Sequence, residues 1–456
     1  MPTGAASCGA QPLDDRWLFT GRHAVLQRIV TWMQADTPPH AGAPATPALG
    51  AAGALVVTGP AGCGKSAVMR HLAALSDPDA REQLLAHAPA GPDPDTDPGI
   101  GAVAATVDLH GMGERELATT LAEQLGLPRP QAGWQLIADL TRMAAPPIVL
   151  LDGLDEAVPE HLDKLATELL VALGTVARVV ITTRQLEFLW YGPAAEGARV
   201  VGLQEMFGRD VPIIDLDAEP GTAADIEQYV ARWLAAAGQE DLVQAVAPAL
   251  AGRAGEFGGF LYAQVLTSQI LRQVIDARTD GWQRQLAGTV GAALDREFSI
   301  GAPLMHDGAE VPGAARDLLH ALAWGLGRGM PRQVWQVAAS ALSPDGVRYR
   351  AADLDWALEH YGCYVVEDEQ HGEAVYRLAH LEFAEHLLGS PLPVPGTPQA
   401  WALAEELVAL PGAKPPADGE PDRRSPYLRA YLTRHVSIAG TPGVDALYRL
   451  VKDTPE

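Results

Sequence analysis

The stretch Ala54-Leu55-Val56-Val57-Thr58-Gly59-Pro60-Ala61-Gly62-Cys63-Gly64-Lys65-Ser66 decides how the rest of this chain is read. Its first part is a short apolar run of β type. Its second part has the spacing G-x-x-x-x-G-K-[ST] of a phosphate-binding loop. Glycines there let backbone N–H groups turn inward and approach a polyphosphate closely. Lys65 would reach the β- and γ-phosphates, and the Ser66 hydroxyl would hold Mg²⁺. A helical pattern starts at Ala67, so the partial positive charge of a helix N-terminus would also face the phosphates. The candidate nucleotide contacts are therefore Gly59, Pro60, Ala61, Gly62, Cys63, Gly64, Lys65, Ser66 and Ala67. Lysine occurs only at Lys65, Lys164, Lys414 and Lys452, and Lys65 lies where phosphate chemistry wants it. The alternative is an ordinary glycine-rich strand-to-helix turn.

Around this stretch, apolar runs alternate with helical patterns. Ala102–Leu109, Ile148–Asp152, Arg178–Thr182 and Val211–Leu216 read as further strands, with helices at Glu114–Leu125, Gly133–Met143 and Leu162–Leu173. Ser76–Gly99, rich in Pro and Asp, reads as a surface insertion. Strands that are apolar throughout imply a parallel sheet covered by helices on both faces, an α/β P-loop NTPase fold. Ligands of such sheets bind at the C-terminal ends of the strands. Asp152, Arg184 and the phosphate loop all fall at such ends.

A carboxylate ending a buried strand needs a cation, and beside a phosphate loop Asp152 would meet Mg²⁺, directly or through water. Asp155 and Glu156 lie just beyond, where one of them would orient or deprotonate an attacking water. The plainer reading is that these acids cap the next helix. Arg184 would sense the γ-phosphate, or is a surface arginine at a strand end. Arg22, after Thr20-Gly21, would either pair with the nucleotide or fix the helix predicted over His23–Ala35.

The character changes at Pro220. Thr222-Ala223-Ala224-Asp225 reads as a capping box opening a helix over Asp225–Ala237. Helices follow at Asp241–Ala251, Phe260–Ala277 and Trp282–Phe298, with a boundary at Gly301–Gly308. Helices at Ala314–Leu326, Arg332–Leu342 and Ala351–Tyr361, a hairpin of Tyr364–Glu367 with Ala374–Leu378, and a helix at Leu381–Leu388 give a winged-helix-like unit. The expected organisation is a disordered lead-in (1–16), a helix and linker (17–53), the NTPase domain (54–219), a helical domain (220–300), a winged-helix-like domain (301–390) and a helical tail or junction (391–456).

The 456 residues are 48% hydrophobic and carry a formal net charge of −24. That balance argues against broad capture of nucleic acid or an anionic membrane. Cys8, Cys63 and Cys363 are too scattered for a metal cluster or a disulfide framework, which fits a reducing cytoplasm. Met1–Gln11 lacks a signal-peptide pattern, and no apolar run approaches the roughly 18 residues of a membrane span.

GPAGCGKS, the acid-rich IVLLDGLDEA and VVITTR resemble the signal-transduction ATPases with numerous domains, and within them the NACHT group. Gly153 after the metal-binding Asp152, with two acids shortly after, carries the resemblance to that group. FTGR resembles the family's element just before the phosphate loop. The resemblance implies that His380, in Tyr376–Leu388, contacts the β-phosphate of ADP in a closed state; the plainer reading is a helix-start histidine. Apoptosome-type relatives pack a Gly-x-Pro on adenine, whereas Gly258-Gly259-Phe260-Leu261 has no proline. The implied activity is slow ATP hydrolysis by a switch, closed with ADP and open with ATP and Mg²⁺, that forms homo-oligomers and works with an effector and a trigger, in defence or regulation. Two other readings are a continuously cycling remodelling ATPase and a DNA-binding regulator. The acidic turn of the hairpin (Glu367, Asp368, Glu369, Glu373) and the net charge oppose the latter.

Overall fold

The computed structural model describes residues 19–35, 53–86, 92–158, 162, 165–184, 187–191, 198–202, 211–257, 259–370, 372–390, 393–410, 413 and 425–452. The chain forms two compact units. One holds Asp14–Leu271 and Asp276–Arg284; the other holds Arg272–Ile275 and Gln285–Glu456.

The first unit is built on a five-stranded parallel sheet. Its strands are β1 (Ala54–Thr58), β2 (Val103–Asp108), β3 (Ile148–Asp152), β4 (Arg178–Thr183) and β7 (Ile213–Asp215), in the order β2-β3-β4-β1-β7. The strand leading into the phosphate loop is thus central, between β4 and β7. Side chains of a strand alternate between faces, and the two cores divide accordingly. Ala54, Val56, Val149, Leu151, Val179 and Ile181 pack with α4 (Glu114–Gln124), α5 (Gly133–Leu140) and the helical run Leu165–Leu170, which is π-type and continues as α6 (Val171–Val176). Leu55, Val57, Leu150, Val180 and Ile214 pack with α1 (His23–Gln34) and α2 (Lys65–Ser76). Each fully buried Leu, Ile or Val adds about 1.5–3 kcal/mol, so the alternation fixes the register of the whole sheet. Arg178, at the start of β4, donates to the carbonyls of Trp32 and Met33 and so closes the C-terminus of α1.

Three features depart from the pattern read in the sequence. The Pro/Asp-rich insertion opens with a helix, α3 (Pro78–Ala86), and Arg81 holds Asp97 through two hydrogen bonds of 2.7 and 2.5 Å. The chain after β4 forms an antiparallel pair, β5 (Glu187–Tyr191) and β6 (Ala198–Gly202). The capping box is not made: α7 (Thr222–Ala236) starts after Gly221, which is left-handed at φ 87, and no side chain caps it. Two more helices, α8 (Glu240–Phe257) and α9 (Gly259–Leu271), complete the helical part of this unit.

The second unit begins with α10 (Val290–Ile300), capped by Thr289. Over Gly301–Gly308, read in the sequence as a boundary, lie the first strand and the turn of a small hairpin, β8 (Leu304–His306) with β9 (Ala309–Val311). Then come α11 (Ala314–Ala323), β10 (Met330–Pro331), α12 (Arg332–Leu342), α13 (Ala351–Tyr361), β11 (Val365–Gln370), β12 (Glu373–Leu378) and α14 (Leu381–Leu388). The sheet order β10-β12-β11 gives the winged-helix arrangement, and the acids expected in its turn lie on the two strands instead. Helices α15 (Pro398–Ala409), α16 (Pro426–Ala439) and α17 (Thr441–Lys452) follow. Among the described residues no helix is long and apolar enough to cross a membrane.

Candidate nucleotide site

The loop between β1 and α2 has its glycines where the backbone demands them. Gly59 and Gly64 sit at φ 147 and 100, and a Cβ on Gly59 would lie 2.8 Å from the Cys63 Sγ. Gly64 is the N-cap of α2 and has no side chain to cap it, so the partial positive charge of the helix N-terminus faces the loop, where it favours an anionic ligand. Lys65 is buried and its Nζ donates to the Gly59 and Pro60 carbonyls at 2.7 and 2.9 Å. The ammonium is thus folded back over the loop that Gly59, Pro60, Ala61, Gly62, Cys63 and Gly64 form. Ser66 and Ala67 open the helix.

The Ser66 hydroxyl hydrogen-bonds the Asp152 carboxylate, and Thr182 donates to Asp152 Oδ1 at 2.5 Å while accepting from the Gly153 N–H at 2.7 Å. Burial pushes the Asp152 carboxyl above its ordinary range, against the two hydrogen bonds; nearby Asp108 and Glu156 add to the rise. A buried carboxylate raised this way, touching a hydroxyl, is a hard-oxygen pair that fits Mg²⁺. Ser66 and Asp152 would hold that ion, which supplies charge neutralisation for the phosphates when bound.

Asp155 and Arg184, read separately in the sequence, are partners. The Arg184 N–H donates to Asp155 Oδ1 at 2.8 Å, and its guanidinium Nε lies 3.3 Å from Oδ2. Arg184 Nη2 is 4.0 Å from Glu156. On its other side Glu156 bonds the His110 Nδ1 at 3.0 Å. No local motif marks His110, just past the end of β2, or Thr182. The one signal for both is position, since each lies at the C-terminal edge of the sheet.

Arg22 ties three segments together. Its Nη1 donates to the Leu216 carbonyl and the Thr222 hydroxyl, and its Nη2 donates to the Cys63 carbonyl, each at 3.0 Å. Its backbone N–H reaches Asp225 at 3.0 Å. These contacts account for the unmade capping box, since Thr222 and Asp225 serve Arg22 instead. The guanidinium also lies over the Phe260 ring, 5.5 Å from its centre. Burial lowers its pKa despite nearby acids. The α8–α9 elbow meets the loop too, with the Leu261 N–H donating to the Gly62 carbonyl at 3.2 Å. His380 belongs to the second unit, where it is the half-buried N-cap residue of α14 and stands edge-on to Phe383 at 5.5 Å.

Residues 49–189 match the AAA domain family AAA_22. No curated protein sequence matches the chain. Among solved structures, the Orc1 protein of Aeropyrum pernix in complex with DNA is similar at 16% identity and TM-score 0.35, over 83% of this chain and 97% of that one. Cdc6p of Pyrobaculum aerophilum gives 14%, 0.36, 83% and 97% in the same terms. Drosophila ORC bound to DNA gives 12%, 0.29, 74% and 89%. Two of these proteins were solved with DNA, and the expectation that nucleic acid is not a partner is corrected on that finding. A net charge is a sum over the whole surface and does not describe the field at one face. The family match and the loop geometry together make this chain a P-loop ATPase that takes ATP or ADP with Mg²⁺.

Proposed function

We propose that the chain is a nucleotide-dependent switch, closed with ADP and open with ATP, that self-associates when open and hydrolyses ATP slowly. One observation supports slow turnover most directly. Both acids that would activate water are engaged by the chain's own groups, Asp155 by Arg184 and Glu156 by His110. A carboxylate whose oxygens are already occupied must give up that partner before it can take a proton from water, which suits a timer more than a motor. The STAND and NACHT assignment, the role in defence or regulation and the roles of the site residues belong to this proposal. So do the limits of the six segments and the contact of His380 with the β-phosphate.

Steady-state turnover, together with mass in solution under ADP and under a non-hydrolysable ATP analogue, tests the switch. It predicts retained ADP, few cycles per hour and a larger assembly with the analogue. Many cycles per minute at unchanged mass would favour the remodelling ATPase. A charged histidine–phosphate hydrogen bond contributes about 1.5–3 kcal/mol. His380→Ala should therefore speed ADP release by roughly ten- to a hundredfold, and an unchanged release rate would remove His380 from the mechanism. DNA, held by two of the similar proteins, is the first trigger to test, by a gel shift at low salt with each nucleotide.

A further inference from the structure

A trans peptide points its C=O and N–H in opposite directions. The Cys63–Gly64 peptide has its carbonyl held by Arg22 Nη2 at 3.0 Å. Its N–H, on Gly64, is therefore turned away from Arg22. The preceding carbonyl, on Gly62, is held from the protein side by the Leu261 N–H. Gly64 lies at φ 100, where the peptide is free to rotate unless something fixes it. Arg22 is well placed to fix it. It is 5% exposed, itself left-handed at φ 56, and anchored by its own N–H to Asp225. The corner before it admits no side chain, since a Cβ on Gly21 would lie 2.1 Å from Asp225.

We infer that Arg22 is a positioning residue for phosphate binding: it acts through the Cys63 carbonyl to keep the Gly64 N–H turned toward the phosphates, without touching the nucleotide. The inference rests on the reading of Gly59–Ser66 as the phosphate site. Because the same guanidinium also holds Leu216 and Thr222, the entry to α7 and the phosphate loop share one support. A shift of α7 would then loosen the loop.

The test uses the full chain and two ligands, Mg·ADP and inorganic pyrophosphate. Arg22→Lys keeps the charge and loses the fork. Losing one backbone donor to a charged group should weaken both ligands by about tenfold or more, and equally. A loss for ADP with none for pyrophosphate would mean that Arg22 reads the nucleoside, and would overturn the inference. Wild-type affinity for both would overturn it as well. Thr222→Val removes one acceptor of Nη1 and leaves the Cys63 contact; it should lower the melting temperature and leave both affinities within about twofold. Equal weakening by Thr222→Val at equal loss of stability would reduce the effect to general loosening and overturn the inference. Should Arg22→Lys not fold, Arg22→Gln carries the same comparison. Lys65→Ala separates the underlying reading: if it leaves pyrophosphate affinity intact, the loop is not the phosphate site.

Discussion

At the scale of single residues, the site is held by short polar side chains that each serve two neighbours. Thr182 is the clearest case, fully buried, donating to Asp152 and accepting from the Gly153 N–H. Thr182→Val keeps the shape and removes both bonds, leaving the half-buried Gly153 N–H without this acceptor, at about 1 kcal/mol. The carboxylate that would hold Mg²⁺ also loses an anchor. We expect a lower melting temperature and a several-fold higher Mg²⁺ requirement for ATP hydrolysis, read from a Mg²⁺ titration of turnover. An unchanged requirement would mean that Ser66 alone orients Asp152. His110 gives a second case, because its imidazole occupies Glu156 at 3.0 Å. If that bond restrains the acid, His110→Ala raises kcat several-fold at constant KM; a fall in kcat would show that His110 orients Glu156 for catalysis.

At the scale of elements, the sheet was legible and the joints were not. Strands β1, β3 and β4 announce themselves because they are buried on both faces, which leaves a contiguous apolar run in the sequence, whereas the edge strand β2 buries only Ala105 and Val107. Met330–Pro331 is a strand of two residues, visible only through its pairing with Tyr376 and Val375. The capping box at Thr222–Asp225 had the right local pattern, yet Arg22, some two hundred residues earlier in the chain, took both side chains. Local pattern cannot show a competitor so distant. The same limit hides the Asp155–Arg184 pair, although each residue is marked by its own motif. One joint makes a test. Gly329 enters β10 at φ 134, and a Cβ there would lie 2.5 Å from the backbone oxygen of Tyr376. Because that atom belongs to a paired strand, it cannot easily yield. Gly329→Ala should cost about 1–3 kcal/mol and lower the thermal midpoint by several degrees. An unchanged midpoint would show that β10 is dispensable to the wing.

At the scale of the whole molecule, charge and protons set the conditions under which any switch operates. A net charge of −24 makes copies of the chain repel one another. Assembly with an ATP analogue should therefore strengthen as salt rises from about 0.05 to 0.3 M, over which screening shortens to a few ångströms; weakening would point to ion pairs across the interface. Acid acts differently. His435 is buried, its ring shares a 2.8 Å hydrogen bond with the Tyr427 hydroxyl, and that hydroxyl accepts from the Leu326 N–H. The neutral ring is the form that accepts a proton from Tyr427, and burial pushes the His435 pKa down to about 3, with a small push from Arg434. Burial also lowers His320 of the same unit and His71 of the other, each to about 4. The sign follows from linkage: the unfolded chain takes up these protons below about pH 6.5 while the folded chain refuses them, so stability is complete above 6.5 and falls with acid. For His435 the loss between pH 7 and pH 5 is about 2 kcal/mol. His435→Gln should flatten the pH dependence of the melting temperature over that range, while lowering the midpoint at pH 7 through the disturbed Tyr427 bond. If the variant instead keeps the full wild-type slope, the acid sensitivity of the molecule resides in His71 and His320, and His435 serves only to hold α16 to the end of α11.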